Sequence, residues 1–421
     1  MKTKRLWILR AWGVLMLMTI LPAVTSHDIF LNAGEPPVKR DIKLTQYQRE
    51  MLDHNTDFAC NLFRTINEQK HGDGSIIVSP ISVSYLLGML NMGAEDETFW
   101  QISDVLGLGG SVEEINKYFK KMIDEAPRVD PRVTVKIANC IDVNSARDII
   151  LLPQYEADML KYYNAQIDAL DFTNSSNVDI INNWCKTHTN GMIPRILDNL
   201  KSDAAMYLLN AVYFKAMWTN KFNSKETSDM NFTRPNGSTV KQPLMHLNLQ
   251  QASYSENDLC KALSLPYGNK GYSMYILLPK KHKTVNDIIQ NLSSRSIKQQ
   301  KHVMRPCHVD ILIPRFTAAN ETNLKDVLSS MGMPLAFDED RAQFTNMAQG
   351  RTLYVSMMKQ KAIIEVNEEG TKAVAVTVAE TKTRSARVES CYTFHATHPF
   401  VYFIIEESTG SIFFMGTYCG D

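Results

Sequence analysis

Apolar residues recur at helical spacing early in the chain and at strand spacing later. Tyr47, Met51, Phe58, Leu62, Phe63 and Ile66 fall on one face of a 3.6-residue helix, and residues 83–90 predict a second helix after Ser79-Pro80. Proline suits a first helical turn, where the N–H it lacks would go unbonded anyway. Farther on, the apolar runs take strand length, at residues 133–143, 207–215, 272–278, 309–313 and 361–366. The chain closes with runs at 400–405 and 412–418 about a Ser408-Thr409-Gly410 turn. No internal repeat or long linker interrupts this order, which predicts a single mixed α+β domain.

One alternation stands apart. From residue 371 the even positions Thr371, Ala373, Ala375, Thr377, Ala379 and Thr381 are all small, while Lys372, Val374, Val376, Val378, Glu380 and Lys382 carry bulk or charge. A period of two gives a strand two different faces. A face of alanine and threonine alone lets a strand slide between two others without needing new volume in the core beneath. An edge strand leading into a loop satisfies the same alternation. Between Glu368 and Pro399 no proline interrupts the stretch.

Composition narrows the choices. With 421 residues, 44% of them hydrophobic, the chain can build a large core, and 45 basic against 45 acidic residues leave no net field to attract nucleic acid. Lys2, Lys4, Arg5 and Arg10 precede an apolar run over residues 11–24, broken by Pro22 and followed by Thr25 and Ser26. This predicts a secretory signal peptide over 1–26, since the run falls short of the ~20 residues that span a bilayer. An uncleaved anchor beginning near Leu6 is the alternative. The product is therefore expected to be secreted and extracellular, or periplasmic in a bacterium, with no stable membrane association. Residues 27–43 read as a disordered lead-in and 44–421 as the domain.

The candidate chemistry is sparse. Seven scattered cysteines form no disulfide framework, and Cys391, His395 and His398 lack a fourth metal ligand nearby, so neither a metal nor any other cofactor is expected. No Gly-x-Ser-x-Gly elbow, His-Glu-x-x-His pair or phosphate-binding glycine loop occurs, so an enzyme is not expected. Lys117, Lys120 and Lys121 read as a solvated helix face.

Glu368-Glu369-Gly370-Thr371, followed by small residues and closed by His398-Pro399-Phe400, resembles the hinge and far anchor of the serpin reactive-centre loop, here about residues 368–398. Other blocks resemble that family in the expected order. They include Ser79-Pro80-Ile81-Ser82-Val83, Asn182-Asn183-Trp184, Leu209-Asn210-Ala211-Val212-Tyr213-Phe214-Lys215, Leu265-Pro266-Tyr267, Ile313-Pro314-Arg315-Phe316 and Phe413-Phe414-Met415-Gly416. The resemblance covers nearly all of residues 44–419. It implies helices packed on a large mixed main sheet, with smaller sheets and a mobile loop.

The resemblance also implies roles. The scissile bond lies fourteen positions after the hinge glycine, at Arg384-Ser385, with Lys382 and Arg387 as neighbouring tryptic sites. Glu369, Gly370, Thr371, Ala373 and Ala375 form the hinge. Ser79, Ser82, Asn210 and Gln360 form the shutter where the central strands part, Gln360 standing where the family often has histidine. Trp218, Arg315 and Glu368 close the top of the sheet. The implied function is a secreted, monomeric suicide inhibitor whose partner is a trypsin-like serine protease cleaving after Arg or Lys. The alternatives are a non-inhibitory carrier, chaperone or storage serpin, or an inhibitor of cysteine proteases.

Overall fold

In the computed structural model, which describes residues 39–71, 74–371 and 392–421, Thr45 starts the first helix with a reciprocal cap. Its hydroxyl accepts from the Gln48 amide while the Gln48 side chain accepts from the Thr45 amide, and α1 (Gln46–Gln69) buries Met51, Phe58, Leu62, Phe63 and Ile66, whereas Tyr47 in its first turn, expected on the same face, is exposed. The predicted second helix extends over Pro80–Gly93 (α2), and it is buried almost all round because it lies beneath the main sheet. The expected signal peptide, together with Ala373, Ala375, Lys382, Arg384, Ser385 and Arg387, lies outside the described residues. At the end of the expected lead-in, residues 39–43 have no regular element, yet they pack: the Ile42 side chain is buried and its amide donates to Ser408 Oγ.

Between these helices runs β1 (Ile76–Val78), and after them come α3 (Asp96–Leu106), α4 (Val112–Glu125), β2 (Val133–Asn144), β3 (Ile149–Leu151), α5 (Pro153–Tyr163), β4 (Gln166–Leu170), α6 (Val178–His188) and β5 (Met206–Met217). The next group is β6 (Ser228–Thr233), β7 (Thr239–Glu256), β8 (Cys260–Tyr267), β9 (Tyr272–Pro279), α7 (Val285–Gln290) and α8 (Ser294–Val303). Then follow β10 (Arg305–Pro314), β11 (Phe316–Asn323), α9 (Leu324–Met331), β12 (Ala348–Gly350), β13 (Val355–Asn367) and β14 (Gly370–Thr371). The last strands are β15 (Tyr392–His395), β16 (Phe400–Glu406) and β17 (Ile412–Tyr418).

Two large sheets organise this α+β fold. The main sheet runs β11-β13-β14-β5-β2-β4, and the second runs β1-β17-β16-β9-β8-β7-β10-β15 with β6 beside β7; β3 and β12 make a small separate pair. On β5 the residues alternate strictly. Met206, Leu208, Val212 and Phe214 join the main core, while Tyr207, Leu209 and Ala211 face a second cluster with Ile181, Trp184 and Cys185 of α6. The main sheet is therefore sandwiched, with α2 on one side and α6 across the other.

The predicted strand at 361–366 is longer than its apolar pattern, reaching back to Val355. Its earlier half includes Ser356, Lys359 and Gln360, and Gln360 is buried by hydrogen bonding rather than by apolarity. The strand expected at 309–313 likewise begins at Arg305.

Candidate functional site at the top of the main sheet

The two centre strands of the main sheet are joined along one half and separated at one end. Met357 to Ile363 of β13 pair in parallel with Tyr207 to Tyr213 of β5. Above them β14 enters the gap, pairing antiparallel with both neighbours: Thr371 lies opposite Val366 and Ala216, and Gly370 opposite Asn367 and Met217. Gly370 and Thr371, two of the five residues expected in the hinge, thus pair with both centre strands.

Asn367 makes the turn that allows this, its Oδ1 accepting from the Glu369 and Gly370 amides. Gly370 has φ +142°, and a Cβ there would stand 2.1 Å from the Ala216 carbonyl oxygen and 2.5 Å from Met217 Cα. Backbone passes so close to backbone that only glycine fits. Thr371 is fully buried, with its hydroxyl 3.1 Å from the Tyr267 hydroxyl. Since Ala216 and Val366 opposite it belong to the main core, Thr371 also points to that side of the sheet.

The residues expected to close the sheet top are brought together here. Trp218 stacks on Tyr267 at 4.3 Å, donates from Nε1 to the Asn367 carbonyl at 2.8 Å, and donates from its amide to the Glu369 carbonyl. Glu368 is buried; its Oε1 accepts from Thr227 Oγ1 at 2.7 Å and lies 3.4 Å from Arg315. Glu369 pairs with Lys221 at 2.5 Å. Asn367, Tyr267, Lys221 and Thr227 were not among the residues expected from sequence. The Asn-Glu-Glu-Gly order carried a turn signal for the first, but contacts between distant segments left no mark for the others.

Deeper between the strands, the expected shutter is one connected network. Gln360 Nε2 lies 3.1 Å from the Ser79 carbonyl and 2.9 Å from both Ser82 Oγ and Asn210 Oδ1, while its Oε1 accepts from the Ser79 amide at 2.8 Å. Ser82 Oγ donates toward Asn210 Oδ1, and Asn210 Nδ2 donates to Asn139 Oδ1 at 2.7 Å. Ser79 takes part through its backbone, and its hydroxyl has no hydrogen-bond partner. The carboxamide thus ties α2 to β13 and β5 at once, using donors and an acceptor that do not titrate.

Elsewhere, Lys117, Lys120 and Lys121 each pair with acids of their own helix, Glu113 and Glu114, Asp124, and Glu125 respectively, so α4 presents no bare basic stripe. His398 Nε2 lies 3.0 Å from the Pro279 carbonyl, and His395 Nε2 is 2.7 Å from Asp310 Oδ2. A separate, largely apolar cavity of about 450 Å³ lies between α8 and strands β8, β9 and β16, lined by Leu259, Tyr275, Leu277, Ile297, Phe403 and Ile405 among others.

Comparison with known proteins fits this architecture. The family profile described as Serpin (serine protease inhibitor) matches residues 53–420. The leukocyte elastase inhibitor of Xenopus tropicalis is 32% identical over 377 residues, covering 86% of this chain and 97% of that protein. Among solved structures, the native state of tengpin, a thermophilic serpin, superposes with a TM-score of 0.82 at 28% identity, covering 92% of this chain and 97% of tengpin. Human thyroxine-binding globulin complexed with thyroxine superposes with a TM-score of 0.81 at 27% identity, covering 88% of this chain and 98% of that one.

Proposed function

Because the chain belongs to the serpin family, we propose that it is a secreted suicide inhibitor of trypsin-like serine proteases, with Arg384-Ser385 as its bait. The observation that carries this reading is the seated hinge: Gly370 and Thr371 already hold the mouth of the gap between β5 and β13. In the proposed reaction the protease serine attacks the Arg384 carbonyl, forms an acyl ester and releases the amine of Ser385. Residues 371–384 then enter the sheet as a full strand, roughly 45 Å long at about 3.3 Å per residue, drawing the acylated protease with them. Distortion of the protease's oxyanion hole stalls hydrolysis of the ester.

The registers support the match between loop and gap. Extending both antiparallel pairings of Thr371 down the sheet sets Thr377 opposite Asn210 on one side and Gln360 on the other. Thr377 has the parity of Thr371, so its hydroxyl meets the polar shutter, while Ala373, Ala375 and Ala379 meet apolar core. The same registers set Arg384 beyond Met206 and Val355, where β5 and β13 begin. The guanidinium suits an acidic primary pocket, and hence a protease that cleaves after Arg or Lys. The family supplies inhibitors rather than catalysts, as the leukocyte elastase inhibitor's name states for that relative.

The test is to mix the purified protein with excess trypsin, resolve the products under denaturing conditions and mass-map the released C-terminal peptide. An SDS-stable band at the summed mass and a peptide beginning at Ser385 are expected. Cleavage without adduct overturns the inhibitory reading, and a peptide beginning at Thr383 or Val388 moves the bait to Lys382 or Arg387.

A second reading, carriage of an apolar ligand, is favoured by the cavity beneath α8 together with the likeness to a globulin solved with thyroxine. Saturable one-site binding of an apolar fluorophore, blocked by Leu277→Trp, together with cleavage that leaves no adduct, is the outcome that selects it.

A further inference from the structure

Five asparagines, Asn174, Asn231, Asn236, Asn291 and Asn320, are each followed two residues later by serine or threonine, and none belongs to the site at the top of the main sheet. Asn-x-Ser/Thr is the acceptor pattern for N-linked oligosaccharide in secreted chains. The pattern alone treats the five alike, but their surroundings do not. Sugar is attached at Nδ2, so a folded chain carries it only where that nitrogen faces water. Transfer meets the chain as it is being made, so a turn that forms from neighbouring residues alone presents the asparagine before the fold exists.

Asn236 meets both conditions at the tip of the hairpin joining β6 and β7. The Arg234 amide donates to the Ser238 carbonyl at 2.8 Å and the Gly237 amide to the Arg234 carbonyl at 2.9 Å, which closes the turn. Within it Asn236 Oδ1 accepts from the Ser238 amide at 2.9 Å and from Ser238 Oγ at 2.7 Å, leaving Nδ2 of this exposed residue to solvent. Gly237 has φ +81°, and a Cβ placed on it meets nothing within 4 Å, so the tip stands clear of the body of the protein. Asn174, between β4 and α6, repeats the arrangement: its Oδ1 accepts from the Ser176 amide at 3.1 Å and from Ser176 Oγ at 2.8 Å, and all three residues of the triplet are exposed. In both cases the bonds join residues two apart, so neither turn depends on distant segments.

The other three lack the turn. Asn231 is exposed but lies inside β6 opposite Lys241, where an extended backbone holds it ~6.6 Å from Thr233. Asn291 ends α7 and donates from Nδ2 to the Asp287 carbonyl at 2.8 Å. Asn320 meets neither condition. It sits in β11 opposite Ala362, its Oδ1 accepts from Lys70 Nζ at 3.0 Å, its Nδ2 is buried with no hydrogen-bond partner, and Thr322 is buried as well. Sugar on that nitrogen drives hydroxyl groups into a place without water to satisfy them, which the fold does not tolerate.

We propose that Asn174 and Asn236 are sites of N-linked glycosylation and that Asn320, for all its matching triplet, is not. This rests on the secretion part of the reading above. In the transfer, Nδ2 attacks the anomeric carbon of an oligosaccharide carried on a polyprenyl diphosphate. The new N–C bond replaces the C–O bond to the diphosphate, which leaves with the electron pair, and one amide proton passes to a base of the transferase; nothing is oxidised or reduced. The Ser176 and Ser238 hydroxyls, each on its asparagine's Oδ1, hold the acceptor amides in place.

The test expresses the full chain in a eukaryotic cell that glycosylates its exports, once with its own N-terminus and once behind a leader of known function. Secreted protein is treated with peptide N-glycosidase in heavy-oxygen water, which turns each formerly glycosylated asparagine into a labelled aspartate, and the peptides are mass-mapped. Label is expected at positions 174 and 236 and not at 320. Ser176→Ala and Ser238→Ala are each expected to remove one glycan, read as a single step in electrophoretic mobility, and the double variant to remove both. Unlabelled asparagine at position 174 or 236 of the secreted protein, or label at 320, overturns the assignment. Label behind the foreign leader, with unlabelled and unsecreted protein from the chain's own N-terminus, refutes secretion and leaves the sites standing, whereas secreted protein without label refutes the sites alone.

Discussion

Replacing Gly370 with alanine sets a Cβ 2.1 Å from the Ala216 carbonyl oxygen, 2.5 Å from Met217 Cα and 2.8 Å from the Trp218 nitrogen. All three are backbone atoms of β5 and its continuation, so no side-chain rotation relieves the contact. The φ of +142° adds backbone strain of about 1–3 kcal/mol for any L side chain. The least costly response is for β14 to withdraw, giving up its pairings to β13 and β5 at about 1 kcal/mol per hydrogen bond. Withdrawal also strips Thr371 of Tyr267 and the Trp218 amide of its bond to Glu369. A penalty of about 3 kcal/mol then falls on loop insertion but not on hydrolysis of the acyl-enzyme. Such a penalty shifts the competition between the two roughly a hundredfold. Titration with trypsin is expected to show Gly370→Ala cleaved as a substrate, with on the order of one molecule in a hundred trapped for each trapped in the parent. Trp218 emission, measured without protease, reports whether the hinge has withdrawn. A parent-like adduct yield from the variant would refute the reasoning, because it would mean the gap admits a side chain the geometry forbids.

Other substitutions probe the neighbouring contacts. Arg315→Glu places a like charge 3.4 Å from buried Glu368 and is expected to produce oligomers on warming; a variant that stays monomeric by size-exclusion chromatography counts against Arg315 as a closure of the sheet top. Gln360→Ala leaves the buried Ser79 amide unpaired, removes one of the two donors to Asn210 Oδ1 and opens a cavity, and is expected to lower unfolding stability by about 3 kcal/mol, while Gln360→His introduces a pH dependence between 5.5 and 8 beyond that of the parent; identical pH profiles for parent and histidine variant refute the non-titrating shutter. Burial pushes the Asp142 carboxyl up to about 7, with the Cys140 thiol pulling it back and Asp168 pushing it further. A carboxyl that holds its proton longer in the folded state costs stability as pH rises from about 4 to about 7. Asp142→Asn is therefore expected to raise stability at pH 8 by on the order of 3 kcal/mol and to flatten that slope in urea titrations, and an unchanged slope sinks the assignment.

The sequence disclosed most where period and packing coincide. The apolar face of α1 from Met51 to Ile66 could be read directly from its spacing, and β5 could be read as a strand, although its two apolar faces were told apart only by the clusters they join; Gly370 was legible because only one residue type tolerates its position. The polar centre of β13 was harder to place. Gln360 was placed only through the family resemblance, since its residue type is polar, and it is the meeting of Ser79 and Ser82 with Asn210, from two distant segments, that makes its burial favourable. The same holds for Tyr267 beneath Thr371 and for Lys221 beside Glu369, whose partners lie more than a hundred residues away in the chain. Period-two alternation marked the small positions from Thr371 onward, but which side of the sheet Thr371 faces became clear only from Ala216 and Val366 opposite it.

The parallel seam between β5 and β13 bears on the direction of motion. From the Ile363–Tyr213 rung onward, each residue of a strand fed in beyond Thr371 would release one contact between β5 and β13 and acquire neighbours on both flanks, as Thr371 has with Ala216 and Val366. Advance thus repays every broken rung with two, and retreat must surrender two to regain one. A strand fed into such a seam behaves as a ratchet, with its bias built into the bonding count rather than supplied by any ligand, and its one internal checkpoint is the rung where Gln360 faces Asn210.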